Sequence, residues 1–430
     1  METIEINQTT EKIYKDVLSN GLTVYFYPNK NVNSYFLSLF TPFGGKNNKF
    51  RFKGEEDVCE IPFGLAHFLE HLSFHMDGVE VSDLYAPYGA SINAMTSSER
   101  TNYVVYNTNY FKECLDLLLY YVFTPYYTDE TVNNERGIIK EEAKRAMDNP
   151  ARQLYFLNIR SFYKNSNYRH EIVGTLDDID SITSKNINDA YRYFYHPKNM
   201  TLIISGNFDM DEAVKVINER MDKFTFAEYK EVEVILPEEP KEVNKEYVEE
   251  ELNINNERVN ISIKIPVDVI EKTGLSLYEY IVYLNLIMDA NFDETSDYYR
   301  ELLDKNVVNT ASSSSADEGD GYICANVGNS PNKGKLKEFI DITNKYYSNI
   351  KIDMDVINRK IKRNISDFII EFDDPKRINN SILWQLLSYG KVNNDYIDIL
   401  KRFDVETGQK IIDSIDFNNK TTIVAKPKKD

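Results

Sequence analysis

Two stretches of this chain end the same way. YHPKNMTLIISG at residues 195–206 and DFNNKTTIVAKP at residues 416–427 each run from a polar, Asn-containing turn into an apolar, strand-like segment, and they close the two halves of a 430-residue sequence. The echo hints at an old duplication, and a duplicated chain has to build one outline twice. The openings agree: LTVYFYP and SYFLSLFTPFGG in the first half, and VNISIKIPV in the second, are apolar runs closed by Pro or Gly that read as strands.

Between these ends the pattern is mostly helical. PFGLAHFLEHLSFHMDG reads as a helix between Pro62 and Gly78, and SINAMTSSERTNYVVYNT as a pair of strands or one bent strand. FKECLDLLLYYVFTP and DETVNNERGIIKEEAKRAMDNP are further helices, the second stopping before Pro150. The second half passes through a helix at LSLYEYIVYLNLIMDANF and a strand at GDGYICANVG. EYKEVEVILPEEPKEVNKEY, charged and holding Pro237 and Pro240, reads as the connection. The expected division is a domain at 1–227, a linker at 228–247 and a second domain at 248–430, in an α+β chain.

Composition narrows the function. A net charge of -19 argues against a nucleic-acid partner, because phosphate binding relies on excess Lys and Arg. Cys59, Cys114 and Cys324 are odd in number and show no C-x-x-C spacing, so neither a disulfide framework nor a thiolate metal site is expected. METIEINQTTEKIYKDVLSNG is acidic where a signal or transit peptide is basic, and no stretch reaches the roughly 18 uninterrupted apolar residues of a membrane span. A cytoplasmic protein without membrane attachment is the expectation.

The chemistry concentrates in HFLEHLSFH, residues 67–75, which holds three of the five histidines. On a helix His67 and His71 lie one turn apart on one face, so two imidazoles can reach a single metal ion, with Glu70 beside them to hold a water. The pattern is H-x-x-E-H, the inverted zincin order. A catalytic zinc site usually takes a third protein ligand and keeps a fourth position open. ERGIIKEEAKRAMDNP offers it: Glu135 and Glu142 are two turns apart on one helical face, while Glu141 points about 100° away. His75 continues the stripe one turn further on and is expected to be structural.

These stretches, together with NGLTVYFYP, GASINAMTSSERTNY, IVGTLDDI and YHPKNMTLIISG, occur in order and resemble the pitrilysin or insulinase family of zinc metallopeptidases, the inverzincins. The resemblance implies two homologous domains, each a mostly antiparallel sheet with helices packed on one face, the first catalytic and zinc-binding and the second non-catalytic. It implies one zinc ion per chain with His67, His71 and Glu142 as ligands and Glu70 as general base. Glu135 matches a carboxylate behind the ligands and joins Glu70 as catalytic machinery. Asn93, Ala94 and Met95 would line a peptide substrate lying along an edge strand. The implied reaction is hydrolysis of peptide bonds in unfolded peptides or a small peptide precursor.

The second half departs from the family. Many members carry an Arg and a Tyr, seven apart, that contact the substrate carbonyl; aligned without a gap from Leu302, those positions fall on Leu303 and Thr310. The expectation is therefore a metal-bearing half of a heterodimer whose homologous partner supplies the Arg and Tyr, or otherwise a homodimer. The rival reading is a catalytically inactive scaffold or binding subunit of a peptidase complex.

Overall fold

The two endings that echo one another in sequence occupy the same place in two sheets. In the computed structural model, which describes residues 1–428, the first sheet has seven strands. They are β1 (Glu2–Glu5), β2 (Lys12–Val17), β3 (Thr23–Pro28), β4 (Tyr35–Thr41), β5 (Ser91–Thr96), β6 (Thr101–Asn107) and β7 (Thr201–Gly206), in the spatial order β1-β2-β3-β7-β4-β6-β5. The second has five: β8 (Tyr247–Leu252), β9 (Arg258–Pro266), β10 (Ser313–Gly319), β11 (Tyr322–Asn329) and β12 (Lys420–Pro427), in the order β8-β12-β9-β11-β10. Stripped of β1 and β2, the two orders are one topology. In both, the last strand lies parallel to the first and antiparallel to the second, as β7 does to β3 and β4 and β12 does to β8 and β9. Every other pairing is antiparallel.

The composition of the central strands follows from burial on both faces. All seven residues of β4 are buried, which is why YFLSLFT reads as a nearly continuous apolar run and not an alternation. Tyr35, Leu37 and Leu39 join Leu202 and Ile204 in the core beneath the main helical layer. That layer includes α1 (Leu65–Leu72), which packs against β5 and β6, and the helix Phe111–Val122. The opposite face is covered at its centre by one further helix, Pro375–Tyr389. There the buried Asn379 donates to the carbonyls of Phe36 and Ile203 and to the Ser205 hydroxyl. The helices expected on one face thus form the main layer, and this extra helix seals the apolar strip that β4 and β7 present on the other.

By packing, the chain forms two compact units, Met1–Ala146 with His170–Pro237 and Ile369–Asn394, and Met147–Arg169 with Glu238–Phe368 and Asp395–Asp430. Each holds the sheet expected of its half plus a helix from elsewhere in the sequence: Pro375–Tyr389 in the first, Pro150–Phe162 in the second. Buried polar chemistry ties the latter in. The Lys264 ammonium has no exposed side-chain surface and donates to Glu239 at 2.6 Å and to the carbonyls of Phe162, Pro240 and Glu242, while lying 4.4 Å from the Tyr322 ring centre. The charged segment at 228–247 is itself structured, since Val232–Val234 pairs with Phe50–Phe52 in the first unit. Among the described residues no helix is long and apolar enough to cross a membrane.

In the second unit α3 (Leu277–Phe292) packs on the edge strand β10 as α1 packs on β5. It carries no histidine. Of the four consecutive serines at 312–315, the last three lie within β10.

Candidate metal centre

The start of α1 is set by a close crossing of backbones. Gly64, at φ +84°, caps the helix, and a Cβ there would meet the Val173 carbonyl at 2.5 Å. Replacing Gly64 with Ala combines that clash with a left-handed conformation, and should cost roughly 1–3 kcal/mol. A lowered melting midpoint checks this.

From there α1 buries Leu65, Ala66, Phe68, Leu69, Glu70 and Leu72, leaving His67 and His71 partly exposed on a single face. The helix ends sooner than its sequence pattern predicts. The Ser73 hydroxyl takes the Leu69 carbonyl, and the chain then forms a two-residue Asp77-Gly78 hairpin in which His75 pairs with Glu80 and Met76 with Val79. His75 therefore lies off the helix, and the Asp-Gly pair is a hairpin turn and not only a helix stop.

The other wall is α2 (Asp129–Asp148), whose two-turn spacing brings both expected carboxylates to α1. Glu142 reaches His67 Nε2 at 3.5 Å and His71 Nε2 at 3.3 Å. Seven residues earlier, Glu135 sits on His71 Nδ1 at 2.8 Å. The neighbouring Glu141 turns away to Lys144 at 2.6 Å. His67, His71 and Glu142 form the only such cluster of potential ligands among the described residues, their ligand atoms within 4.8 Å of one another. Bonds of about 2.0–2.1 Å in a tetrahedron separate neighbouring ligand atoms by about 3.3–3.4 Å, and the two carboxylate–imidazole separations, one from each oxygen of Glu142, are of that size. Two neutral imidazole nitrogens and one carboxylate are also a donor set that zinc accepts.

Glu70 is 9% exposed, and its Oε2 accepts a 2.5 Å hydrogen bond from the Thr96 hydroxyl. Thr96 ends β5, the outermost strand of its sheet, which pairs only with β6 among the described residues. Alternation along β5 exposes Asn93 and Met95 and turns Ala94 partly inward, on the face that carries Thr96. The substrate residues expected from the sequence thus divide between two faces, with only the backbone common to all three. Thr96 was not singled out from the sequence, although its parity with Ala94 would have placed it on the α1 side.

The electrostatics follow from these contacts. The His67 hydrogen bond, acting against burial, holds the Glu142 carboxyl down at about 2. Burial works to raise Glu135, but the hydrogen bonds from His71 and His75 outweigh it and hold that carboxyl at about 2. For His71 burial is likewise outweighed, chiefly by Glu135, and the ring is raised above its ordinary value. The Glu135 bond, aided by Glu80, lifts His75 to about 9 against burial. A depressed carboxylate adds stability above its ordinary value of 4.5 and loses it as pH falls toward 2; a raised imidazole adds stability below 6.5 and loses it as pH rises toward 9. The metal-free chain should therefore gain most from the Glu135–His75 pair between about pH 4.5 and 6.5. Melting temperatures recorded in EDTA should drop on both sides of that window, and in His75→Gln the alkaline decline should shrink.

Comparison with known proteins agrees with this geometry. Residues 61–176 match the family described as insulinase (peptidase family M16), and residues 181–362 match the peptidase M16 inactive domain. The uncharacterized zinc protease YmfH of Bacillus subtilis is 30% identical over 415 residues, covering 95% of each chain. The chain belongs to peptidase family M16. An M16-like peptidase from Alicyclobacillus acidocaldarius superposes with a TM-score of 0.89 at 27% identity, covering 98% of this chain and 99% of its own. Pitrilysin shares the fold with a TM-score of 0.76 at 17% identity, and there the match covers 100% of this chain but 46% of pitrilysin. Two homologous domains are thus the M16 arrangement, and the relatives' names associate it with zinc and proteolysis.

Proposed function

We propose that this chain is a zinc-dependent endopeptidase that cleaves unfolded peptides or a small peptide precursor in the cytoplasm, and that it is the metal-bearing half of a heterodimer. The observation that carries the reading is the convergence of His67 Nε2, His71 Nε2 and the Glu142 carboxylate beside a buried Glu70 held by Thr96. His67, His71 and Glu142 would hold one zinc ion. When bound, zinc supplies a Lewis acid that polarises the scissile carbonyl and acidifies water.

The chain's own residues do the rest. Glu70 accepts the proton of the attacking water and passes it to the leaving amine, a role suited to a carboxylate whose second oxygen Thr96 orients. The open edge of β5 offers backbone hydrogen bonds to an extended peptide, and Asn93 and Met95, both exposed, stand beside it. Glu135 holds His71 by its Nδ1, leaving Nε2 toward Glu142.

The heterodimer rests on what occupies the family's Arg and Tyr positions. Leu303 is 43% exposed on the helix Asp297–Asp304, and Thr310 is exposed beside Asn329. Neither provides a guanidinium or a phenol, so a homologous partner would supply both, with a homodimer as the other arrangement. The match of residues 181–362 to the inactive domain supports a non-catalytic second half, and leaves an inactive scaffold as the competing reading.

Zinc content and cleavage of unstructured peptides, measured for the chain alone and with a homologous subunit carrying the Arg and Tyr, separate these. About one zinc per chain, with cleavage that rises sharply on adding the partner, is the expected result. Full cleavage by the chain alone, with no gain from any partner, sinks the heterodimer. Stoichiometric zinc without cleavage in either sample establishes the scaffold.

A further inference from the structure

We propose that His75 is a positioning residue of this centre: by holding the second oxygen of Glu135, it fixes which nitrogen of His71 carries the proton. The inference rests on the metal-binding reading and concerns a side chain outside the ligand set and the general base.

Glu135 is nearly enclosed, with a side-chain exposure of 7%. One oxygen meets His71 Nδ1 at 2.8 Å and the other meets His75 Nε2 at 3.1 Å. The far side of His75 is held in turn, since its Nδ1 lies 2.8 Å from Glu80 Oε1. Four side chains thus form one row, Glu80–His75–Glu135–His71, ending at the ligand whose Nε2 faces Glu142.

Protonation along the row follows from the partners. An ionised carboxylate only accepts hydrogen bonds, so an imidazole nitrogen hydrogen-bonded to one carries a proton. The Nδ1 of His71, held by Glu135, is then the nitrogen that keeps its proton, and Nε2, on the side of Glu142, is the one that would give its lone pair to a zinc ion. His75 faces a carboxylate at both nitrogens, so it carries two protons and a positive charge that offsets Glu135 in a poorly solvated place. Remove His75, and one oxygen of Glu135 is left enclosed without a donor. The carboxylate could then rotate about its own side chain, and the His71 proton would lose its fixed address.

The early end of α1 acquires a reason in the same geometry. Had the helix run on to Gly78, the third histidine would have stayed on the stripe of the other two; the Ser73 break and the Asp77-Gly78 hairpin instead bring it to Glu135 with Glu80 at its back. His67 has no comparable support, since its Nδ1 is buried without a protein hydrogen-bond partner among the described residues. The orientation of the centre is therefore carried on the His71 side.

The test is the zinc affinity of the full chain, measured by competition with a chromophoric chelator, with the visible spectrum of the cobalt(II)-loaded chain as a second readout. His75→Leu should weaken zinc by about tenfold or more, in the range seen when a partner behind a ligand is lost, and should alter the cobalt spectrum. His75→Gln, which can still donate one N–H to Glu135, should recover part of that loss. An unchanged affinity and spectrum in His75→Leu overturns the proposal. If that variant does not fold, Glu80→Ala decides: its side chain is 53% exposed, and it should weaken zinc in the same direction by a smaller factor, an unchanged affinity again overturning the proposal. A wild-type chain that takes up no zinc would instead refute the metal reading itself.

Discussion

Glu70→Gln is expected to lower peptide turnover by about three orders of magnitude while the chain keeps its zinc, because general acid–base catalysis typically contributes on the order of 10²–10⁴ and the amide cannot shuttle the proton. The substitution preserves shape, and the amide can still take the Thr96 hydroxyl hydrogen bond through its carbonyl oxygen. Folding should therefore be retained, and the loss should appear in kcat and not in metal content. Cleavage at the wild-type rate by the zinc-loaded variant would remove Glu70 from the chemistry. Thr96→Val separates orientation from proton transfer: it leaves Glu70 intact without its hydroxyl partner, and a smaller fall in kcat, restored by Thr96→Ser, is the expected pattern.

The second large effect is on the metal itself. Glu142→Ala should weaken zinc by more than the roughly 10- to 100-fold that loss of an outer partner brings, since it removes one of three donors from the cluster. Glu141→Ala makes the comparison sharp. The two residues are adjacent in sequence, yet Glu141 is 66% exposed and bound to Lys144, so its removal should leave zinc affinity unchanged. Equal losses in the two variants, measured with the same chelator, would mean that α2 does not turn Glu142, in preference to Glu141, toward the histidines.

Much of this centre is written in local spacing. His67 and His71 one turn apart, and Glu135 and Glu142 two turns apart, share helical faces by the period of the helix alone, and the structure brings both faces together. The choice of Glu142 over Glu141 follows from the same period once Glu135 is placed on His71. The duplicated outline is legible too, because burial on both faces makes a central strand continuously apolar wherever it occurs, and the two echoing endings became β7 and β12 at matching positions.

What was not legible depends on partners distant in the chain. The third histidine lies on the helical stripe by spacing, but its position was decided by Glu80, by Glu135 sixty residues away and by the Ser73 break. The hydroxyl that orients Glu70 comes from the end of β5, twenty-six residues on, through a pairing of sheet edge and helix that no local pattern contains. The helices Pro150–Phe162 and Pro375–Tyr389 lie in the first and second halves of the sequence, yet each packs in the compact unit built around the other half's sheet, because apolar sheet surface there requires cover. The sequence by itself determined which residue types line each helical face and that one outline is built twice. Only the tertiary structure decided which carboxylate, hydroxyl and imidazole meet, because hydrogen bonds of about 3 Å are set by the packing of whole elements and not by residue order.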